Sequence, residues 1–479
     1  MTADVEAALA CAAQAADALR ERAPAAARRS LGQFFTPVPV ARLMASWIER
    51  PASEPVRVLD PGAGAGVLGL ACAAHLLSLG SSVELTAIER DAAARARLEA
   101  VLDAARRRLG ARLRCQISGG DALALRPGDV GSFDVVIANP PYLKMAPADP
   151  RGGDSPNAYT RFMEVAAGLL RPGGQLCFLV PRSFAAGLYF RRFRRRFHAE
   201  MALTRAHVFR SRRDAFREDR VLQETVVVLY RKQPAGDGPV ALSTSTGARD
   251  LDAATRLLTT RARLLDPADP DAPLLLPTCP KELAMIAAAR ALPHRLADHG
   301  LSVSTGPVVP FRARPLLRRA AGPATAPLLW MQHVRPEGVT WPLGAAFRKP
   351  EHLRADAPPA LLVPSDTFVL LRRLSSKEER RRLCAAALVR GQLPGATLGL
   401  ENHLNYVHRA GGGLTRAEAR GLAALFNSAW MDRYFRVANG STQVNATDLR
   451  ALPLPTLAAL RRLGGRAPSE DAIAEALGV

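Results

Sequence analysis

Between Val56 and about Arg231 the chain alternates short aliphatic and β-branched runs with longer stretches of helical spacing. The strand candidates are Arg57–Leu59, Glu84–Ile88, Arg114–Ser118, Val135–Ala138, Gly174–Val180 and Thr225–Tyr230. Helical spacing falls at Val67–Leu79, Asp91–Leu109, Tyr159–Leu170 and Tyr189–Phe197. Apolar strands without polar alternation, separated by helices, predict an α/β domain whose sheet is covered on both faces. Ahead of this region, Met1–Arg22 is alanine-rich with scattered acids and reads as an amphipathic helix. Behind it the pattern breaks at Lys232-Gln233-Pro234-Ala235-Gly236-Asp237-Gly238-Pro239, which predicts a linker. The remainder is irregular, with a Pro/Asp-rich stretch at Asp266–Pro277, a strand-like segment at Leu301–Phe311 and a helix-like run at Thr415–Phe435. The expected organisation is therefore a helical extension over 1–30, an α/β domain over 31–232 and a second domain of undetermined α+β type over 241–479.

Three acids sit where the first three predicted strands end. Val58-Leu59-Asp60-Pro61-Gly62-Ala63-Gly64-Ala65-Gly66 runs from a strand through a glycine turn into a helix. Glycines allow a tight turn and close approach of backbone to a ligand, although dinucleotide sites use similar loops. Asp60 would repel a pyrophosphate but attract an ammonium group. Glu89 ends the second strand, placed to accept from both hydroxyls of a ribose, and Asp121 follows the third, able to accept from an exocyclic amine. Each acid alone could be a helix N-cap. Together they suit a cationic cofactor in the crevice at the carboxyl ends of the strands.

The fourth strand, Phe133–Ala138, leads into Asn139-Pro140-Pro141-Tyr142. An amine attached to an aromatic ring is a poor nucleophile because its lone pair is delocalised. Two acceptors aimed at its hydrogens, the Asn139 side-chain oxygen and the Pro140 carbonyl, would draw the nitrogen toward sp³. Pro141 stiffens the loop and Tyr142 offers a ring for stacking on a base. The competing reading is a stiff turn after a strand.

Composition then narrows the partner. The formal net charge is +21, and 60 of the 65 basic residues are arginine. Genomic GC bias explains part of the choice of Arg over Lys, but not the sign of the total, which favours a polyanion. Arg210, Arg212, Arg213 and Arg217 cluster in one loop and are the preferred contacts for such a polyanion, DNA if the resemblance given below holds. Arg191-Arg192-Phe193-Arg194-Arg195-Arg196-Phe197 reads as a helix with Phe190, Phe193 and Phe197 on one apolar stripe and its arginines outward. The six cysteines are dispersed, with no CxxC pair and no His cluster, so neither a metal site nor a disulfide framework is expected, and a cytoplasmic setting suits them. No apolar stretch reaches membrane-spanning length.

These motifs, in this order, resemble the gamma class of amino-methyltransferases from restriction–modification systems, over roughly Leu31 to Tyr230 and again at Gly440–Pro455. Gly32-Gln33-Phe34-Phe35-Thr36-Pro37 matches the motif upstream of the glycine loop. The resemblance implies a Rossmann-like domain with a mostly parallel seven-stranded sheet and S-adenosyl-L-methionine (AdoMet) as cofactor. It implies cofactor contacts at Thr36 (the methionine end), Asp60, Pro61, Gly62, Gly64, Glu89, Asp121 and Asn139, with no metal. Asn139, Pro140, Pro141 and Tyr142 match the adenine-specific catalytic motif, cytosine-N4 members usually having Ser at the first position. A phenylalanine stacking on the flipped base alongside Tyr142 corresponds best to Phe216, with Phe209 second; Arg217 stands where the family has proline. The implied activity is methyl transfer to adenine N6 in double-stranded DNA by a monomer, with any cognate restriction endonuclease acting separately on the same site. An RNA adenine-N6 methyltransferase and a protein glutamine-N5 methyltransferase are the rival enzymes; a non-enzymatic DNA-binding module is the rival outside catalysis. In the second half, Glu401–Tyr406 and Asn439–Asn445 are amide-rich. They fit either base reading or, around Asn445–Asp448, a helix cap.

Overall fold

The computed structural model describes residues 2–22, 34–145, 157–211, 224–234, 236–266, 269, 271–344, 346–375, 379–439 and 443–479. The chain divides into two compact units, Met1–Pro280 and Lys281–Val479.

The first unit is built on nine strands: β1 (Val56–Pro61), β2 (Val83–Ile88), β3 (Leu113–Ser118), β4 (Phe133–Ala138), β5 (Leu170–Pro181), β6 (Met201–Phe209), β7 (Thr225–Lys232), β8 (Pro239–Ser245) and β9 (Thr255–Thr260). Their order is β3-β2-β1-β4-β5-β7-β6-β8-β9, with β1 parallel to both β2 and β4, and β7 antiparallel to both β5 and β6. Strand order reverses between β1 and β4, so the crevice expected for ligands opens at their carboxyl ends.

The expected seven strands are the first seven of this order. β8, parallel to β6, and β9, antiparallel to β8, extend the sheet beyond them. The expected linker at Lys232–Pro239 is therefore a connection within one sheet, and the unit continues to Pro280 rather than ending at 232. Pro and Gly signalled a chain reversal correctly, but a reversal inside a domain looks the same in sequence as one between domains.

The longer helices among the described residues of this unit are α1 (Thr2–Arg22), α2 (Val38–Ser46), α3 (Val67–Ser78), α4 (Ala92–Leu109), α5 (Ala158–Leu169) and α6 (Arg191–Glu200). Alternate residues of each strand feed two cores. Val58, Leu85, Val135, Ile137 and Leu179 join one with α1–α4, while Leu59, Phe133, Val136, Leu176 and Phe178 join the other with α5 and α6. The N-terminal helix is part of this unit rather than an appendage. It buries Ala8, Leu9, Ala12, Ala16 and Leu19, and its closest helical neighbours are α4 and α3. Burial of a residue such as Leu9 contributes about 1.5–3 kcal/mol.

The second unit is α+β, as expected. A four-stranded antiparallel sheet orders Leu301–Thr305, Leu404–Arg409, Phe368–Arg372 and Ala385–Leu388. A five-stranded sheet orders Leu317–Arg318, His352–Arg354, Thr325–Leu329, Thr397–Leu400 and Val363–Pro364. The helices are α7 (Pro280–Ala291, which begins at the boundary), α8 (Arg416–Asn427), α9 (Ala429–Ala438), α10 (Ala446–Arg450), α11 (Leu457–Gly464) and α12 (Glu470–Leu477). The predicted run Thr415–Phe435 is thus two helices. Ser428 ends the first and caps the second, its side chain accepting from the Met431 amide. Among the described residues no helix is long and apolar enough to cross a membrane.

Candidate active site

The turn after β1 is made by sterics that only glycine satisfies at one point. Gly66 has φ +85°, and a Cβ there would lie 2.7 Å from a Leu98 methyl group. Above this turn lies a cavity of about 580 Å³, within the range of roughly 300–1,000 Å³ usual for ligand sites. Its walls include Phe35, Thr36, Gly62, Gly64, Glu89, Asp121, Asn139, Pro141 and Phe162.

The three acids take different stations. Glu89 is half-buried on the wall, its carboxylate accepting from the Gly64 amide (2.8 Å) and the Asp91 amide (2.8 Å), which ties the glycine loop to the end of β2. Asp121 is on the wall too, and its Oδ1 accepts from the Leu123 amide at 3.0 Å, so it caps a turn and faces the cavity at once. Asp60 lies beneath the loop and is 1% exposed. Its Oδ2 accepts from the Gly69 amide at 2.8 Å, while Oδ1 is buried with no hydrogen-bond partner. Burial pushes its carboxyl up to about 7, against the bond from Gly69, with Glu89 adding to the rise. Asp60 thus holds the first turn of α3, and it is absent from the cavity wall where it had been expected. Pro61 is the last residue of β1 and also lies off that wall.

Asn139 follows β4, which is buried along its whole length. The Asn139 amide nitrogen donates to the Phe34 carbonyl (2.9 Å) and to Thr36 Oγ1 (3.1 Å). Thr36, expected at the methionine end of the cofactor, thus also orients Asn139. The amide oxygen accepts from the Tyr142 hydroxyl at 2.8 Å, and that hydroxyl also reaches the Leu179 carbonyl at 3.2 Å. Burial raises the Tyr142 phenol well above its ordinary value, so it stays protonated and donates. Pro140 is buried and Pro141 half-buried.

Tyr142 also walls a second cavity of about 430 Å³ with Lys144, Asn157, Tyr159, Pro181, Ser183, Tyr189 and Phe190. Lys144 lines both cavities. Sequence reasoning missed this aromatic wall. The available signal was the Tyr189-Phe190 pair after Gly187, in the turn beyond β5, the strand beside β4.

Of the other expected residues, Arg210 is exposed just past β6. Arg212, Arg213, Phe216 and Arg217 lie outside the described residues. Phe209 is fully buried in the core packed against α1–α4, so it cannot meet a base. Phe193 and Phe197 of α6, with Phe190 just before it, form the buried stripe as expected, but Arg194 is 0% exposed rather than outward. Its guanidinium donates to four carbonyls, and satisfaction of all those acceptors is what keeps a cation inside.

In the second unit, Asn405, Asn439 and Asn445 of the amide-rich segments make hydrogen bonds within the fold. Asn405 is buried, accepting from Thr305 (2.9 Å) and donating to the Val444 carbonyl (2.7 Å), and Glu401 bonds to His403. Asn445 caps α10 in a reciprocal box with Asp448, to which Asn439 also donates at 2.9 Å. The same unit carries a groove of about 1190 Å³ on whose walls stand Arg390, Arg416, Arg420 and Arg466.

Comparison with known proteins fits this geometry. Residues 97–216 match the family model of the Eco57I restriction–modification methylases, and residues 18–151 match that of the N-6 DNA methylases. The chain is 34% identical over 446 residues to the type II methyltransferase M.PstI of Providencia stuartii, covering 90% of this chain and 88% of that protein. It is 32% identical over 460 residues to the type II methyltransferase M.BsuBI of Bacillus subtilis, covering 91% and 90% respectively. Among solved structures, the type IIL restriction–modification enzyme MmeI in complex with DNA has a similar fold, with a TM-score of 0.56 at 10% identity, over 88% of this chain and 65% of that one. The chain belongs to the AdoMet-dependent N6-adenine DNA methyltransferases of restriction–modification systems.

Proposed function

We propose that the chain methylates N6 of an adenine extruded from double-stranded DNA, as the modification enzyme of its system, with Lys281–Val479 as the target-recognition unit. It acts as a monomer in the cytoplasm, and any cognate endonuclease is a separate chain. The observation that carries the catalytic reading is the fixation of Asn139. Both amide hydrogens are spent on Phe34 and Thr36, so the carbonyl oxygen, which accepts once from Tyr142, is the end with a lone pair to offer a substrate.

The 580 Å³ cavity fits AdoMet in size and in donor set. Glu89 and Asp121 offer carboxylate acceptors for ribose hydroxyls and an adenine amine, while Asp60 braces the loop from beneath through the Gly69 amide. Bound there, AdoMet supplies an electrophilic methyl group. Asn139 Oδ1 and the Pro140 carbonyl accept the two hydrogens of the target amine, drawing its nitrogen toward sp³ and freeing the lone pair for attack. Tyr142 holds Asn139 Oδ1 through its hydroxyl and presents its ring to the base in the second cavity. The contribution of the chain is positioning and hydrogen bonding to the charge that develops on nitrogen.

Asn139→Ala is expected to bind AdoMet normally and to lose DNA methylation by about 10³-fold, the scale of removing one such polar group. Near-full turnover in a tritiated-methyl transfer assay would end this mechanism. Single-molecule sequencing of host DNA expressing the gene is expected to show N6-methyladenine at one recurrent motif. Methylation confined to ribosomal RNA would replace the DNA reading.

A further inference from the structure

The second unit presents one aromatic ring that its own core does not use. The strand-like sequence Leu301–Phe311 forms a strand only as far as Thr305. Phe311 falls beyond it in a turn, where the Arg312 and Ala313 amides both donate to the Val309 carbonyl, at 3.0 and 2.9 Å. Phe311 is 75% exposed, more than any other large apolar side chain among the described residues. The Arg312 guanidinium carbon stands 5.3 Å from the centre of its ring.

A single exposed ring means little by itself. Two further observations bear on this one. The first is that its mount is stiff. Val308 and Ala313, on either side of the turn, are buried in the core with Leu328, Trp330 and Leu353. The Gly306 and Val308 amides donate to the Leu404 and Leu400 carbonyls at 2.8 and 3.0 Å, and the Asn402 amide donates back to the Val308 carbonyl at 2.9 Å. A Cβ on Gly306 would fall 2.3 Å from the Glu401 carbonyl oxygen, so the chain lies directly against that backbone. Pro307 and Pro310 fix two more φ angles. The second observation is charge. No acid occurs from His299 to Pro336, while Arg312, Arg314, Arg318 and Arg319 follow the ring closely. All four are exposed, and Arg312, Arg314 and Arg319 make no ion pair among the described residues. Such a surface complements a polyanion. A phenyl ring has no hydrogen bond to give a phosphate, but a stiff apolar side chain can enter between stacked base pairs while neighbouring cations hold the backbone.

We propose that Phe311 is an apolar wedge that enters one base step of the bound duplex and kinks it, with Arg312, Arg314 and Arg319 on the flanking phosphates. This rests on the assignment of Lys281–Val479 to target recognition. Pyrimidine–purine steps unstack most readily, so the wedge favours such a step at its place in the bound DNA without touching a base edge.

The test uses full-length enzyme and a duplex carrying the motif recovered by sequencing, with a dye at each end to read bending by energy transfer. The wild-type complex is expected to be bent within about 20–90°, the range of such wedges. Phe311→Ala should straighten the duplex and weaken its binding about tenfold, the scale of losing one ring stacked on a base. Phe311→Leu, which keeps an apolar wedge, should retain most of the bend. AdoMet affinity and thermal unfolding should match wild type in both, because the ring lies outside the core. Arg312→Ala/Arg319→Ala should lower the slope of log K against log salt by about 2. A straight wild-type complex, or a bend that Phe311→Ala leaves intact, would overturn the proposal; weaker binding with the bend intact would set the ring on a groove edge, such as a thymine methyl, instead. If the enzyme methylates its motif and Phe311→Ala behaves as wild type, only the wedge falls. If the wild-type enzyme binds no duplex and methylates RNA alone, the target-recognition reading falls with it.

Discussion

Asp60 shows how one residue can carry opposed demands. Its Oδ2 supports the Gly69 amide while Oδ1 is shut away from water without a partner. Burial therefore raises the carboxyl to about 7 in the folded chain, from the ordinary value near 4. Because the folded state then binds the proton more tightly than the unfolded state, this group contributes stability that is fully present below about pH 4. That contribution declines as pH rises toward 7 and is flat above it. Asp60→Asn keeps an acceptor for Gly69 and removes the titration. In urea denaturation the variant is expected to gain on wild type steadily between pH 4 and 7, and the gap between them to stay constant at higher pH. A gap that does not change with pH would show that Asp60 does not titrate in this range. Sequence alone found the three acids at the strand ends but could not rank them by depth. Glu89 and Asp121 reach the cavity wall and Asp60 lies beneath, a difference set by how tightly the glycine turn folds over β1. Arg194 was misplaced for a related reason, since helical spacing marks which residues share a face but not which face meets backbone carbonyls able to accept from a guanidinium.

At the scale of elements, the legible strands were those made of uninterrupted aliphatic residues, such as Val135–Ala138. β6 was missed because Met-Ala-Leu-Thr-Arg-Ala-His-Val-Phe mixes polar residues into a buried strand; His207, for instance, is satisfied by Ser243 and Ser245. β8 was missed because Pro-Val-Ala-Leu-Ser-Thr-Ser begins in a turn signal and ends in small polar residues. Helix packing in the second unit depends on a feature as quiet in sequence: α8 and α11 meet at glycines. A Cβ on Gly421 would fall 1.9 Å from the Leu460 carbonyl oxygen, and one on Gly464 would fall 1.8 Å from that of Ala417. Both clashes are with backbone, which has no rotamer to escape into. Gly421→Ala is expected to force the helices apart at a cost of about 1–3 kcal/mol, read as an earlier unfolding transition in calorimetry. The neighbouring Gly465→Ala, whose Cβ would stand 3.5 Å from the Arg462 carbonyl oxygen, should leave that transition nearly in place. Equal shifts from the two variants would show that the α8–α11 crossing is not what the glycine protects.

For the whole molecule, the excess of arginine was visible from the start, but not where it is free to act. Much of it is spent internally: Arg409 and Arg461 both pair with the buried Glu418, and Arg436 pairs with Asp432. Lys281–Val479 nonetheless holds 27 basic residues against 15 acidic ones. On its 1190 Å³ groove, Arg390, Arg416 and Arg420 are exposed and make no ion pair among the described residues, whereas Arg466 is paired with Glu475. Arg416 and Arg420 stand one turn apart on α8, the spacing that directs two guanidinium groups to the same side. A guanidinium on a phosphate releases condensed counterions, so removing one such pairing should lower the slope of log K against log salt by about 0.9. The triple variant Arg390→Ala/Arg416→Ala/Arg420→Ala is therefore expected to bind duplex DNA more weakly, with a salt slope shallower by about 2 to 3. The weakening should be nearly the same for duplexes with and without the methylated motif, because phosphates carry no sequence information. AdoMet affinity, set in the first unit, should not move. A weakening confined to the specific duplex would instead make these arginines readers of bases, and an unchanged salt slope would remove the groove from the DNA path.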